Sequence, residues 1–119
     1  MESKDNIRVH SIVNLLKAKI QKAAVFGSTL TCEEMANDID LMIWADPSDY
    51  NIIKQIIRES ERLDIIIEPF MCDYVELPEI PESDENHGER PIHICAVPCN
   101  GYENTSLWIR NKNQMLFLH

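Results

Sequence analysis

The sequence lacks a long hydrophobic run and has few positive charges. No apolar stretch approaches the ~20 residues that a transmembrane helix requires, so we expect no membrane span. Lys and Arg together number 11 against 20 Asp and Glu, which gives a formal net charge of −9. Direct nucleic-acid binding is not expected, because such a chain lacks the cation excess that drives sequence-independent contacts to phosphates. A free nucleotide that carries its own metal ion remains compatible with this charge.

The N-terminal residues also lack the pattern of a secretion signal. Residues 1–5 do not show the basic-then-apolar layout of a signal peptide, which predicts a cytoplasmic protein. The four cysteines are then expected to be reduced thiols. Two of them, Cys95 and Cys99, lie near His87 and His93 in the sequence. This spacing matches no standard zinc site, so ordinary thiols are favoured over zinc ligands.

The chain does contain enough apolar material for a folded domain. Hydrophobic residues make up 45% of the 119 positions, which predicts a single domain over residues 1–119 rather than global disorder. Hydrophobic periodicity and end signals predict helices over residues 6–21, 46–62 and 106–118, and strands over residues 22–26, 38–45, 63–69 and 91–98. The acidic, proline-containing stretch 71–90 is predicted to be a loop, with residues 76–90 as the most mobile internal segment.

The helix over residues 46–62 has the clearest start signal. Asp46 can cap the helix, and Pro47 suits its first position. The predicted buried stripe of this helix consists of Ile52, Ile53, Ile56 and Ile57. Trp44, which precedes the helix, is predicted to be a packing residue rather than a platform for a nucleotide base.

The residues most suggestive of chemistry follow the first strand and begin the second. Gly27 allows the backbone to turn sharply and to approach a ligand closely, and Ser28 adds a hydroxyl and an amide. Asp38 and Asp40 are two residues apart, so on a strand their carboxylates point to the same face. Carboxylate oxygens are the ligands that a hard ion such as Mg²⁺ prefers. This pattern predicts a metal site beside a phosphate-binding turn.

The pattern also resembles the signature of a known family. Phe26-Gly27-Ser28, followed by Asp38-Ile39-Asp40-Leu41, is similar to the motif of the DNA polymerase beta nucleotidyltransferase superfamily, whose minimal stand-alone members are closest in length. The resemblance covers about residues 20–68. It implies an α+β fold, with a nucleotidyltransferase-like mixed sheet of about four strands packed with helices. It further implies transfer of a nucleoside monophosphate from a nucleoside triphosphate to an acceptor hydroxyl, with two Mg²⁺ ions.

The resemblance assigns roles to individual residues. Gly27 and Ser28 correspond to the turn that holds the triphosphate in that family. Asp38 and Asp40 correspond to the catalytic aspartates that hold the two metal ions. The acceptor is not identified by the sequence, and a protein partner is compatible with the family.

A third carboxylate in that family comes from a neighbouring strand. Asp64 matches the hydrophobic-Asp-hydrophobic pattern of that strand and is the preferred third catalytic and metal-binding residue. Glu68, on the same face of the predicted strand, is the alternative metal ligand.

One departure from the motif favours a second interpretation, and the C-terminal part of the chain carries a second, fainter resemblance. Residues 29–34 contain no Lys or Arg, although active relatives often have a basic residue just after Gly-Ser. Ile92-His93-Ile94 and Trp108-Ile109-Arg110 resemble, more faintly, the GrpB family, which usually keeps only the carboxylate equivalent to Asp40. His93 is then either a strand residue at a substrate pocket or, as slightly favoured, a packed core histidine. The alternative function is a catalytically degenerate nucleotidyltransferase-fold module that binds or regulates.

Overall fold

The computed structural model describes residues 3–27, 30, 39–61, 75–80 and 92–119. In chain order its elements are α1 (Ser3–Leu16), β1 (Lys22–Phe26), β2 (Ile39–Ala45), a 3₁₀ turn (Pro47–Asp49), α2 (Tyr50–Glu61), β3 (Val75–Ile80), β4 (Ile92–Pro98), a 3₁₀ turn (Tyr102–Asn104), α3 (Ser106–Asn111) and β5 (Met115–Phe117). The predicted α+β class is confirmed. None of the described helices is long and apolar enough to cross a membrane.

The strands form one mixed sheet in the order β3-β4-β2-β1-β5. The two central strands, β2 and β4, are parallel, and the other neighbouring pairs are antiparallel. In this register Asp40 of β2 lies opposite Phe26 of β1 on one side and opposite His93 of β4 on the other. The sheet therefore brings the end of β1 and the beginnings of β2 and β4 to one place.

Each face of the sheet has its own hydrophobic cluster, because side chains alternate along the strands. The larger cluster joins one face to α1 and α2 and includes Val9, Val13, Leu16, Ile39, Leu41, Ile43, Ile53, Ile57 and Ile94. The smaller cluster joins the other face to α3 and consists of Ala24, Phe26, Met42, Trp44, Cys95, Val97 and Leu107. Trp44 is fully buried there and contacts the rings of Tyr102 and Trp108 edge-on, so its predicted packing role is confirmed.

The helices differ from prediction at specific points. α1 ends at Leu16 rather than residue 21, and Ile20 is nevertheless buried after the turn that follows.

In α2 the predicted buried stripe is too wide. Ile53 and Ile57 face the core, but the side chain of Ile52 is 44% exposed. Ile56, the fourth predicted member of the stripe, is partly buried and packs against the core, so only Ile52, in the first turn of α2, departs from the prediction.

The predicted C-terminal helix over residues 106–118 is wrong in its second half. α3 begins with a cap, because the Thr105 hydroxyl accepts a hydrogen bond from the amide of Trp108, and it ends at Asn111. After a turn, β5 pairs antiparallel with β1. The amide of Leu118 donates to the carbonyl of Ala23 at 2.8 Å. This pairing with a distant strand overrides the local sequence pattern.

The prediction of a mobile loop over residues 76–90 is wrong for residues 76–80. β3 spans Val75–Ile80 and is hydrogen-bonded to β4. Its register shifts between Leu77 and Ile80, around Pro78, which has no amide hydrogen to donate. An edge strand tolerates such an interruption. The rest of that segment and the predicted strand over residues 63–69 lie outside the described residues.

Candidate functional site

Gly27, the residue after β1, has the backbone conformation that the predicted sharp turn requires. Phe26 is buried at the end of the strand, and Gly27 follows with a φ of 76°, in the left-handed region. The carbonyl of Gly27 accepts a hydrogen bond of 3.0 Å from the amide of Leu30, which closes the turn. Glycine suits this position because it adopts positive φ without a Cβ penalty.

The carboxylate of Asp40 lies directly against this turn. A Cβ atom added to Gly27 would lie 2.8 Å from Asp40 Oδ2, which is closer than real Cβ atoms approach an oxygen. The contact follows from the antiparallel pairing of β1 and β2, in which Phe26 and Asp40 are opposite each other. Only glycine therefore lets the turn and the carboxylate come this close.

The other oxygen of Asp40 faces β4. His93 Nδ1 lies 3.5 Å from Asp40 Oδ1, and the side chains of His93 and Asp40 are 25% and 20% exposed. The two residues are paired in the parallel register of β2 and β4. Because His93 is partly exposed and beside a carboxylate, it is not the packed core histidine that the sequence slightly favoured. It belongs to the same polar site as Asp40.

The surroundings of this site are apolar. Phe26, which is opposite Asp40, and Met42 and Cys95, which are two residues further along β2 and β4, are buried on the same face of the sheet. Ile39 and Leu41, the chain neighbours of Asp40, point to the opposite face and are fully buried. The polar pair of Asp40 and His93 therefore lies at the edge of the smaller hydrophobic cluster, with both side chains partly exposed.

The structure brings together two of the residues predicted for the site, Gly27 and Asp40. The other four, Ser28, Asp38, Asp64 and Glu68, lie outside the described residues. Among the residues that are described, no group of three His, Cys, Asp or Glu side chains could hold a metal ion. Of the two described polar side chains at this site, the carboxylate of Asp40 is the kind of ligand that Mg²⁺ prefers. The imidazole of His93 suits softer metals better.

Sequence reasoning underestimated His93 because its position depends on strand register. The alternation in Ile92-His93-Ile94 predicts that His93 points away from the face on which its two neighbours are buried. It does not predict that β4 lies beside β2. The available signal was the shared pattern of one polar residue between two branched apolar residues, in Ile39-Asp40-Leu41 and in Ile92-His93-Ile94.

The opposite end of the sheet holds a second set of titratable groups. Burial raises the pKa of Tyr50 to about 12, and burial, followed by the charges of Asp46 and Asp49, raises the pKa of the Cys99 thiol. A thiol with a raised pKa has less thiolate at neutral pH and is a poorer nucleophile. This end of the sheet therefore does not favour cysteine chemistry.

Comparison with protein-family models, with curated proteins and with solved structures finds no match for this chain. The likeness to nucleotidyltransferases thus stays a prediction from the motif.

Proposed function

We propose that the chain is a metal-dependent nucleotidyltransferase, which moves a nucleoside monophosphate from a nucleoside triphosphate to an acceptor hydroxyl. The observation that carries this proposal is the contact between Gly27 and Asp40. The two halves of the sequence motif meet across β1 and β2, with the Asp40 carboxylate against the turn. A phosphate at the turn and a cation on the carboxylate would then be neighbours, as nucleotidyl transfer requires.

The turn and the carboxylate would have separate tasks. Gly27 and Ser28 would position the phosphates of the nucleotide through the backbone and through the hydroxyl of Ser28. Asp40 would hold Mg²⁺ together with Asp38 and with Asp64 or Glu68. When bound, Mg²⁺ neutralises charge on the departing pyrophosphate and lowers the pKa of an attacking hydroxyl.

His93 would fix the orientation of the Asp40 carboxylate. Nδ1 of His93 lies 3.5 Å from Oδ1, the carboxylate oxygen that faces β4, and the other oxygen, Oδ2, lies beside Gly27. A carboxylate held in one orientation loses less entropy when it binds an ion than a freely rotating one does. His93 is thus a positioning residue in this proposal.

Calorimetric titration with a nucleoside triphosphate, with and without Mg²⁺, tests the proposal. Asp40→Asn should weaken Mg²⁺-dependent binding by at least about tenfold, because it removes a negative ligand. Asp49→Asn, the same substitution at the opposite end of the sheet, should bind like wild type. Equal Mg²⁺-dependent affinity in wild type and Asp40→Asn would contradict the assignment of Asp40. Transfer of a labelled nucleoside monophosphate to a pool of acceptor hydroxyl compounds would then test turnover.

A degenerate nucleotide-binding module is the second candidate. The observation that favours it is the absence of Lys and Arg from residues 29–34, so no cation directly follows the Gly-Ser turn. This candidate predicts nucleotide binding that depends on Asp40 but no release of pyrophosphate. A pyrophosphate assay on the same protein samples separates the two.

A further inference from the structure

Asp40 has two directly opposite neighbours in the sheet, and one of them is a metal-binding residue type. β2 pairs with β1 on one side and with β4 on the other, so both of its edges are occupied. Phe26 lies opposite Asp40 in β1, and His93 lies opposite it in β4. Imidazole is the commonest metal ligand in proteins, whereas the side chain of Phe26 has no donor atom. In the described sheet, His93 therefore supplies the donor atom opposite Asp40.

The separation of the two donor atoms suits a single ion. His93 Nδ1 lies 3.5 Å from Asp40 Oδ1, which is at the long end for a hydrogen bond. Two ligands that each lie about 2.1 Å from one ion are about 3.4 Å apart at a tetrahedral ion and about 3.0 Å apart at an octahedral one. The observed distance therefore matches the tetrahedral geometry of Zn²⁺ better than the octahedral geometry that Mg²⁺ demands.

The chemistry of the two donors favours the same kind of ion. An imidazole nitrogen suits Zn²⁺, whereas Mg²⁺ is bound by oxygen ligands. Both side chains are partly exposed, so an ion from solution can reach them. Their backbones are fixed by the pairing of β2 with β4, so the two donors are held close together before the ion arrives. Distance, donor type and access thus point to one class of metal.

We propose that Asp40 and His93 together bind a divalent ion of the zinc class, which competes with Mg²⁺ for Asp40. Asp40 Oδ1 and His93 Nδ1 would each bond to the ion, and the neutral imidazole would carry its proton on Nε2. Asp38, predicted on the same face two residues earlier, would raise the number of protein ligands to three, as in catalytic zinc sites. The inference rests on the proposed function only in that Mg²⁺ shares Asp40.

The site would make the protein respond to two metals in different ways. With Mg²⁺ bound to Asp40, His93 would remain the positioning residue beside the carboxylate. A zinc-class ion would instead bind both side chains at once. Since only the zinc-class ion gains the nitrogen ligand, it should displace Mg²⁺ from Asp40 when both ions are present at equal concentration. Mg²⁺-dependent nucleotide binding would then be inhibited by the second metal.

Nuclear magnetic resonance of the histidine side chains tests the site in the unmodified protein. On titration with Zn²⁺ alone, the Nδ1 resonance of His93 should shift, and the ring should become the Nε2–H tautomer. His10, which is exposed on α1, should keep its resonances at the Zn²⁺ concentration that saturates His93. A His93 ring that does not respond to Zn²⁺, or that responds only together with His10 as in adventitious binding, would overturn the proposal.

Calorimetric titration of variants with Zn²⁺ provides a second measurement. His93→Gln should weaken Zn²⁺ binding by at least about tenfold, because it removes a ligand, and should weaken Mg²⁺-dependent nucleotide binding by a smaller factor. His10→Gln is the matched control and should bind both metals like wild type. Equal Zn²⁺ affinity in wild type and His93→Gln would refute the inference.

Failure of the proposed function would be a different result. In that case Asp40→Asn would leave Mg²⁺-dependent nucleotide binding unchanged, or no such binding would occur in wild type. Zn²⁺ would still shift the Nδ1 resonance of His93, because that site depends only on the two side chains that β2 and β4 bring together. The two proposals can therefore fail separately.

Discussion

Substitution of Gly27 by alanine should test the contact on which the candidate site depends. Two effects act on this variant. The backbone has a φ of 76°, which an L-residue adopts at a cost of about 1–2 kcal/mol. The new Cβ would also lie 2.8 Å from Asp40 Oδ2, so the carboxylate has to move. Asp40 has a short side chain with its other oxygen beside His93, and displacing it off its rotamer costs about 0.5–1.5 kcal/mol more.

Gly101→Ala is the matched control. Gly101 has a φ of 83°, but a Cβ there would have nothing within 4 Å. The two variants share the backbone penalty and also the loss of unfolded-state freedom that alanine brings. Gly27→Ala should therefore be less stable than Gly101→Ala by about 0.5–1.5 kcal/mol, which is the cost of moving the carboxylate.

Urea unfolding of both variants, alone and combined with Asp40→Ala, measures this difference. In the Asp40→Ala background the carboxylate is gone, so the gap between the two glycine variants should close. Gly27→Ala should also weaken Mg²⁺-dependent nucleotide binding, whereas Gly101→Ala should not. An equal loss of stability in both glycine variants, with no coupling to Asp40, would refute the contact.

Three further predictions concern the scaffold. Asp46→Ala should lower the urea midpoint, because the Asp46 carboxylate accepts hydrogen bonds from the Ser48 amide at 2.9 Å and from the Ser48 hydroxyl at 2.8 Å. Both hydrogen bonds lower the pKa of Asp46, so the stability difference between the variant and wild type should shrink as acid protonates the wild-type carboxylate. Tyr50→Phe should cost little stability at neutral pH, because no described group hydrogen-bonds the buried hydroxyl. Folding raises the pKa of Tyr50 from 10.0 to about 12, so wild type should lose stability as the pH rises through that interval. Unfolding curves at several pH values should show a steeper loss for wild type than for Tyr50→Phe. Trp44→Ala should cost about 3–5 kcal/mol by the same measurement, and Trp44→Phe less; a small loss for alanine would mean that the second cluster adds little.

The local sequence was sufficient to predict the structure of segments whose conformation depends mainly on adjacent residues. The apolar run Lys22–Phe26 forms β1 as predicted, and Asp46 caps the turn that begins the next helix. Gly27 and Asp40 could be identified together because the motif specifies both, and the antiparallel pairing of β1 with β2 brings them close.

Local pattern failed where distant strands determine the structure. Residues 115–117 have a sequence compatible with a helix, and they are a strand because β1 offers them hydrogen bonds. Residues 76–80 have a loop-like composition, yet pairing with β4 orders them as a strand. The position of His93 beside Asp40 likewise depends on a register that no local signal specifies.

The parallel pairing of β2 with β4 has a consequence for how the protein folds. Antiparallel neighbours such as β1 and β2 can pair through a short connection, but parallel strands need a long crossover, here the chain between residues 45 and 92. Closing that loop costs entropy before any contact repays it, so the central pair should form slowly. A chain in which only β1 and β2 have paired would already hold Gly27 against Asp40 but would lack His93. The rate at which His93 reaches Asp40 is therefore the rate at which the centre of the sheet closes.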